Sequence, residues 1–268
     1  AGKTLGMIFE KSSMRTRVSF EVAMTQMGGH AIYLTKHDIN IGERESIKDV
    51  SKVLSRFIDC IAIRTYDHKT VIELADSSSV PVINALSDYT HPCQALTDLY
   101  TIKEKKGSLD NVNLAYVGDG NNVARSLAFL CAKLKVSCTI ASPENYELSA
   151  QFLNELENNV IGKDSYIKQI RDPREAVKGA DVIYTDTWIS MGEEEEAEAR
   201  RQDFKGFQVN NELISYAKKD VFVMHCLPAH RGEEITDDVI DGEHSIVYDQ
   251  AENRLHVQKA LLKLLISG

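Results

Sequence analysis

Short apolar runs alternate with segments of helical period along most of the chain. In the first part the runs are "TLGMIF", "HAIYL", "CIAIRT" and "PVINA". In the second part they are "NLAYVG", "SCTIAS", "SYIKQI", "DVIYTD", "VFVMHC" and "SIVYD". Each has the length of a strand. Between them "ESIKDVSKVLSRF", "KTVIELADSS", "HPCQALTDLYTIKEKKG" and "NVARSLAFLCAKL" read as helices. Strand–helix alternation predicts an α/β protein with parallel sheets covered by helices on both faces. So many strands exceed one ordinary sheet, so the pattern predicts two doubly wound domains linked by helices. The expected first domain is residues 1–106, completed by a C-terminal helix over 251–268. The second is residues 107–250, with the junction near "KEKKGSLDN".

The segment "FEKSSMRTRVSFEVAMTQMGGH" adds chemistry to this picture. Val18, Val22, Ala23 and Met27 recur at helical spacing, Ser13 is a natural N-cap and "MGG" a natural stop. Arg15 and Arg17 then fall in the first helical turn, where the macrodipole is positive and backbone N–H groups lack partners. Cations are unfavourable there unless an anion sits among them. Ser13, Thr16, the N–H groups and the Arg15 fork together suit a phosphate. Residues i and i+2 do not share a helix face, so Arg17 reads as structural. A surface helix with incidental arginines is the plain alternative. The glycines and Gly-Lys-Ser/Thr ending of a nucleotide P-loop are missing.

Composition narrows the classes. A net charge of -9 excludes nucleic-acid binding through bulk positive charge, so any positive site is local. Five cysteines without framework spacing point to reduced thiols in a cytosol-like compartment. No apolar stretch is long enough to span a membrane. The chain lacks an initiator Met, so trimming is expected; the expected location is the cytoplasm, with an organelle left open. The run "EEEEAEARR", Glu193 to Arg201, reads as a solvated helical face.

Three further constellations stand at strand ends. His91 and Gln94 in "HPCQ" lie one helical turn apart at a helix start, and both can donate to a carbonyl oxygen. "VGDGNN" resembles half of a dinucleotide fingerprint, with Glu144 beyond the next strand, but Val123 stands where the third Gly belongs. Asn121 and Asn122 in that turn offer amides to a polar substrate. "YTDTWISMG" and "VMHCLPAHRGEEI" place Asp186, Ser190 and Cys226 after buried strands. His225 and Cys226 are adjacent, hence on opposite faces of a strand, and make a poor metal pair. No metal and no cofactor is expected.

Taken together, these segments resemble the carbamoyltransferase family, and its ornithine-acting members most. "SMRTR" resembles the family's Ser-Thr-Arg-Thr-Arg, with Met14 replacing the first Thr. "HPCQ" resembles His-Pro-x-Gln, "DTWISMG" the Asp-x-x-x-Ser-Met-Gly loop, and "HCLP" the His-Cys-Leu-Pro segment. The motifs run in family order from residue 9 to about 260. The resemblance implies transfer of the carbamoyl group of carbamoyl phosphate to the side-chain amine of L-ornithine, giving citrulline and phosphate. It implies that Ser13, Met14 (through its backbone N–H), Arg15, Thr16, Arg64, His91, Gln94 and Arg254 hold carbamoyl phosphate, with Cys226 and Leu227 bordering it. On the amino-acid side it implies Asn122, Asp186, Ser190 and Met191. Arg15, His91, Cys226 and Asp186 are the expected catalytic group. Asn40 stands where many relatives have Gln. The resemblance also implies a homotrimer, with the Lys36–Glu45 loop reaching a neighbouring chain.

Other readings remain at this point. Putrescine or N-acetylornithine can replace ornithine as acceptor. "VGDGNN" alone supports a nicotinamide-dependent dehydrogenase. A non-catalytic subunit of the same fold is disfavoured by the joint presence of Arg15, Arg64, His91 and Cys226.

Overall fold

The structure is a computed structural model, and it describes residues 2–42, 44–161, 166–190, 192 and 194–266. The chain divides into two compact units, one of residues 1–97 with 252–268 and the other of residues 98–251.

The first unit carries β1 (Thr4–Phe9), α1 (Met14–Gln26), β2 (His30–Thr35), α2 (Lys36–Ile39), α3 (Ile47–Leu54), β3 (Cys60–Arg64), α4 (His68–Ser77) and β4 (Val82–Leu86). The helix α5 (Pro92–Lys106) begins in it. Its four strands are parallel in the order β2-β1-β3-β4. β1 and β3 are central and buried on both faces, which is why their sequences show no polar alternation. α1 starts as expected at Ser13, whose Oγ accepts from the Thr16 N–H at 3.2 Å. Its buried face differs from the expected one: Thr16, Phe20, Ala23 and Met24 are inside, while Val18 is 49% exposed. Two apolar stripes compete on this helix, and the one carrying the large Phe20 ring is buried against the sheet.

The second unit holds β5 (Asn113–Val117), α6 (Asn122–Leu134), β6 (Ser137–Ala141), α7 (Ala150–Leu156), β7 (Ile167–Ile170), α8 (Pro173–Val177) and β8 (Val182–Thr185). α9 (Ala197–Asp203), α10 (Asn211–Ile214), β9 (Phe222–His225) and α11 (Asp237–Ile240) follow, and α12 (Val247–Ile266) begins here and ends in the first unit. Its sheet is parallel in the order β7-β6-β5-β8-β9. The two-domain parallel α/β expectation is thus borne out. One expected strand is not. In "SIVYD" only Ser245 bridges Val223, and Val247 already opens α12. The run is too short to separate a strand from the buried first turn of a helix by pattern alone.

Candidate active site

In the first unit, the chain winds one way from β1 to β2 and the other way to β3 and β4. Strand order therefore reverses between β1 and β3, and the crevice at their carboxyl ends is the place for a ligand. Phe9 and Arg64 end these two strands side by side. α1 starts just beyond, with Arg15 in a first turn that holds no acidic residue. The Met14 side chain is 70% exposed, which leaves its backbone N–H as the group it offers there. From α12, Arg254 is 3% exposed. Its Nη2 donates to Thr16 Oγ1 at 2.7 Å and its Nη1 to Gln94 Oε1 at 2.6 Å. Gln94 lies in the first turn of α5, and His91 directly precedes that helix. Ser13, Arg15, Thr16, Arg64, His91, Gln94 and Arg254 all belong to this unit. Arg17 is outside the cluster, as expected. Its Nε donates to Glu21 Oε1 at 2.9 Å and its guanidinium lies over the Tyr33 ring.

Three arginines set the state of His91. Burial, then Arg254, Arg64 and Arg15, hold its pKa well below the usual histidine value of 6.5. His91 is therefore a neutral imidazole at neutral pH, able to donate an N–H without adding a fourth positive charge. A linkage effect follows. Below pH 6.5 the unfolded chain protonates this histidine while the folded protein does not. Stability is complete above that pH and falls as pH drops through it, by up to ~1.4 kcal/mol per pH unit from this group. Urea titrations of wild type and His91→Gln between pH 7.5 and 5 should show the substitution flattening that slope. Parallel slopes would refute the assignment.

In the second unit, strand order reverses between β5 and β8. Three loops leave the carboxyl ends of β5, β8 and β9, beginning at residues 118, 186 and 226. Asp186 is 6% exposed and collects donors from all three. Asn121 Nδ2 donates to its Oδ2 at 2.9 Å, Cys226 Sγ to its Oδ1 at 2.9 Å, and the Thr187 N–H to Oδ1 at 2.8 Å. Asn121 thus serves α6 and Asp186 rather than a free amide role. Its Oδ1 caps the helix by accepting from the Val123 and Ala124 N–H groups. Asn122 and Ser190 are half-buried beside these loops. Met191 lies outside the described residues.

The strand end at Cys226 is not the simple alternation expected. β9 stops at His225, and Leu227 has φ of +57°, a left-handed conformation that costs an aliphatic residue energy. The Leu227 N–H donates to His225 Nδ1 at 2.8 Å. The proton of that ring is therefore on Nε2, which donates to Glu234 Oε1 at 3.0 Å. His225 and Glu234 are fully buried. The same carboxylate oxygen accepts from the His230 N–H at 2.6 Å. This pair fixes the turn that presents the Cys226 thiol to Asp186.

Ligand atoms of Asp186, His225 and Cys226 lie within 4.8 Å of one another, contrary to the expected separation, because β9 ends at His225 and Cys226 no longer follows strand alternation. His230, Glu233 and Glu234 form a second such group. Both nitrogens of His225 and the Cys226 thiol are already engaged by the protein, as is Glu233 by Arg201. The donor set is one of internal hydrogen bonds rather than an open coordination sphere.

The glycine turn also has a structural reason. A Cβ on Gly120 would lie 2.6 Å from the Leu148 nitrogen and 2.8 Å from the Tyr146 carbonyl oxygen. Gly120 therefore lets two loops of the protein meet, and its N–H donates to Tyr146 O at 2.7 Å. Glu144 pairs with Arg171 on the surface, far from a ribose-binding role. The dinucleotide reading of "VGDGNN" falls with these contacts.

Sequence reasoning missed several supporting residues. The Asn121 cap, Thr187 and Glu234 act through contacts that cross loops. Arg200 was expected on a solvated face, yet is 7% exposed. One signal was present: Arg200 stands four residues before the buried Phe204 and so shares its helix face.

Comparison with known proteins agrees with this layout. Residues 1–104 match the carbamoyl-P binding domain model of aspartate/ornithine carbamoyltransferase, and residues 110–265 match the Asp/Orn binding domain model. The chain is 56% identical over 267 residues to the ornithine carbamoyltransferase of Pyrococcus abyssi, covering 100% of this chain and 84% of that protein. Its fold superimposes on the ornithine carbamoyltransferase of Pyrococcus furiosus with a TM-score of 0.96 at 56% identity, covering 100% of this chain and 85% of that one. For the ornithine carbamoyltransferase of Thermus thermophilus the TM-score is 0.89 at 45% identity, covering 99% of this chain and 86% of that one. With two crevices of the right chemistry and matches along its whole length, the chain belongs to the aspartate/ornithine carbamoyltransferase family, on its ornithine branch.

Proposed function

We propose that the chain transfers the carbamoyl group of carbamoyl phosphate to the side-chain amine of L-ornithine, giving L-citrulline and phosphate, through the following assignment of residues. Residues 1–106 with 251–268 bind carbamoyl phosphate, and residues 107–250 bind ornithine. The observation that carries this reading is the cluster of Arg15, Arg64 and Arg254 around a neutral His91 at the helix start. Ser13, Thr16, the Met14 N–H and the arginines hold the phosphate, while His91 and Gln94 hold the carbamoyl oxygen.

In the reaction a C–N bond forms at the carbamoyl carbon and its bond to the phosphate oxygen breaks. Negative charge grows first on the carbonyl oxygen and then on the leaving phosphate. The neutral His91 donor and the arginines stabilise both. The attacking amine must first lose a proton, since free lysine-type amines titrate near ~10.4. Cys226, whose thiol donates to Asp186, helps position that amine, and the Asp186 carboxylate takes its proton. Asp186, Asn122, Ser190 and Met191 hold the α-amino acid head of ornithine. Cys226 and Leu227 belong to the second unit, and a role for them toward carbamoyl phosphate is part of the same proposal.

One assay tests the acceptor. With saturating carbamoyl phosphate, phosphate release should be fast with ornithine and ~10⁴-fold slower with putrescine, which leaves the polar contacts of the α-amino acid head unmade. Equal rates with putrescine or N-acetylornithine would overturn the ornithine assignment.

The proposed assembly is a trimer. Met14 and Val18 form an exposed apolar stripe on α1, and Phe57 is 73% exposed. Ile32 on β2 is 40% exposed, and the expected loop of residues 36–45 instead opens with the short helix α2. Cyclic symmetry would repeat one contact between such faces three times. Light scattering at micromolar concentration should give about three times the 30.0 kDa chain mass. A fully active monomer would refute it.

A further inference from the structure

Arg200 lies in the run that reads from sequence as a solvated charged face, and the structure buries it. Its Nη1 donates to Asp119 Oδ2 at 2.8 Å and to the Trp188 carbonyl oxygen at 3.0 Å. Its guanidinium carbon sits 5.0 Å from the centre of the Tyr146 ring. Nε reaches the exposed Glu196 carboxylate at 3.4 Å. Asp119 is itself held in place, because it lies between Gly118 and Gly120 in the turn that packs backbone to backbone against residues 146–148. An anchor on that turn has little freedom to move.

Trp188 is the third residue of the loop that begins at Asp186. Its ring stacks on Phe204 with centroids 5.5 Å apart, and its carbonyl is held by Arg200. The loop is thus fixed at its start by the donors to Asp186 and in its middle by Arg200. Ser190 follows two residues after the clamped carbonyl. We propose that Arg200, paired with Asp119, is a positioning residue for the amino-acid-binding loop, and that this clamp sets affinity for the α-amino acid head of the acceptor. The inference rests on the assignment of Asp186 and Ser190 to that head. Arg200 touches no substrate; it acts through the Trp188 carbonyl.

The clamp makes a selective demand. It bears on the acceptor loop and not on the arginine cluster of the first unit. Carbamoyl phosphate affinity should therefore be indifferent to it. Putrescine lacks the head group that the loop would hold, so its slow reaction should be indifferent as well.

The test compares Arg200→Gln, Arg200→Lys and the charge-balanced Arg200→Gln/Asp119→Asn with wild type. In Arg200→Gln, kcat/KM for ornithine should fall ~10- to 100-fold, the scale of an ångström misplacement, mostly through KM. The KM for carbamoyl phosphate and the rate with putrescine should stay within about twofold. Arg200→Lys, which keeps the charge on Asp119 but loses the planar fork, should recover part of the loss. The double variant removes both charges, so it keeps the test alive if the single one fails to fold. It should show the ornithine defect without further loss from the second change, as expected of residues acting as one unit. Unchanged ornithine KM in a folded variant would overturn the proposal. So would equal losses toward ornithine, putrescine and carbamoyl phosphate, which mark general destabilisation. A wild type that prefers another α-amino acid acceptor, with that acceptor's KM raised by Arg200→Gln, would overturn the ornithine reading and leave the clamp standing.

Discussion

Arg254→Met should lower kcat/KM for carbamoyl phosphate by ~10²- to 10³-fold, the range for loss of one preorganised donor at a developing anion. Two losses combine in it. The positive charge assigned to the phosphate disappears. Thr16 and Gln94 also lose the donor that orients them, at 2.7 and 2.6 Å. A third effect has a definite sign. Arg254 is the largest charge contribution holding His91 below its ordinary pKa, so that pKa rises in the variant. The acid limb of the pH–rate profile should move toward neutrality. Arg254→Lys keeps the charge without the fork and should fall between the two. Initial rates and calorimetric titration with carbamoyl phosphate decide the matter. Wild-type kcat/KM for carbamoyl phosphate in Arg254→Met would remove this residue from the anion site.

Asp186→Asn should lower kcat/KM for ornithine by ~10²- to 10⁴-fold, as for removal of a proton-transfer group that also binds charge. The carboxylate accepts from Asn121, Cys226 and the Thr187 N–H. An amide keeps the shape but turns one oxygen into a donor, which then opposes one of those three. It also gives up the charge proposed to attract an ammonium and the proposed acceptor of the amine proton. Carbamoyl phosphate binding, measured by calorimetry, should be unchanged. A variant that binds and carbamoylates ornithine normally would show that Asp186 only ties the loops together.

These residues differ in how far sequence announces them. The buried strands were legible because the interiors of β1 and β3 show no polar alternation, and Ser13 is a common cap. "SIVYD" misled because a three-residue apolar patch fits a strand and a buried helical turn equally well. Arg15, His91 and Asp186 were legible because chemistry-bearing residues at strand ends mark the ligand side of a parallel sheet. Arg200 and Glu234 were not. Each is an ordinary charged residue in a charged stretch, and only its distant partner changes its meaning. Asp119 is 81 residues from Arg200, and no local period encodes that meeting. The buried face of α1 failed for a related reason: periodicity offered two stripes, and only the sheet beneath chose between them.

The Thr16–Arg254 contact joins positions 238 residues apart. Synthesis runs from the amino end, so the ribosome delivers Ser13, Arg15, Arg64 and His91 long before Arg254. A nascent chain holding the first sheet therefore has two of the three arginines of the cluster and no means to finish it. On the proposed assignment, ligand can reward folding of this site only once α12 has been made, which ties the gain of substrate affinity to that late helix. Chains interrupted before residue 252 lack Arg254 and should bind carbamoyl phosphate no better than Arg254→Met.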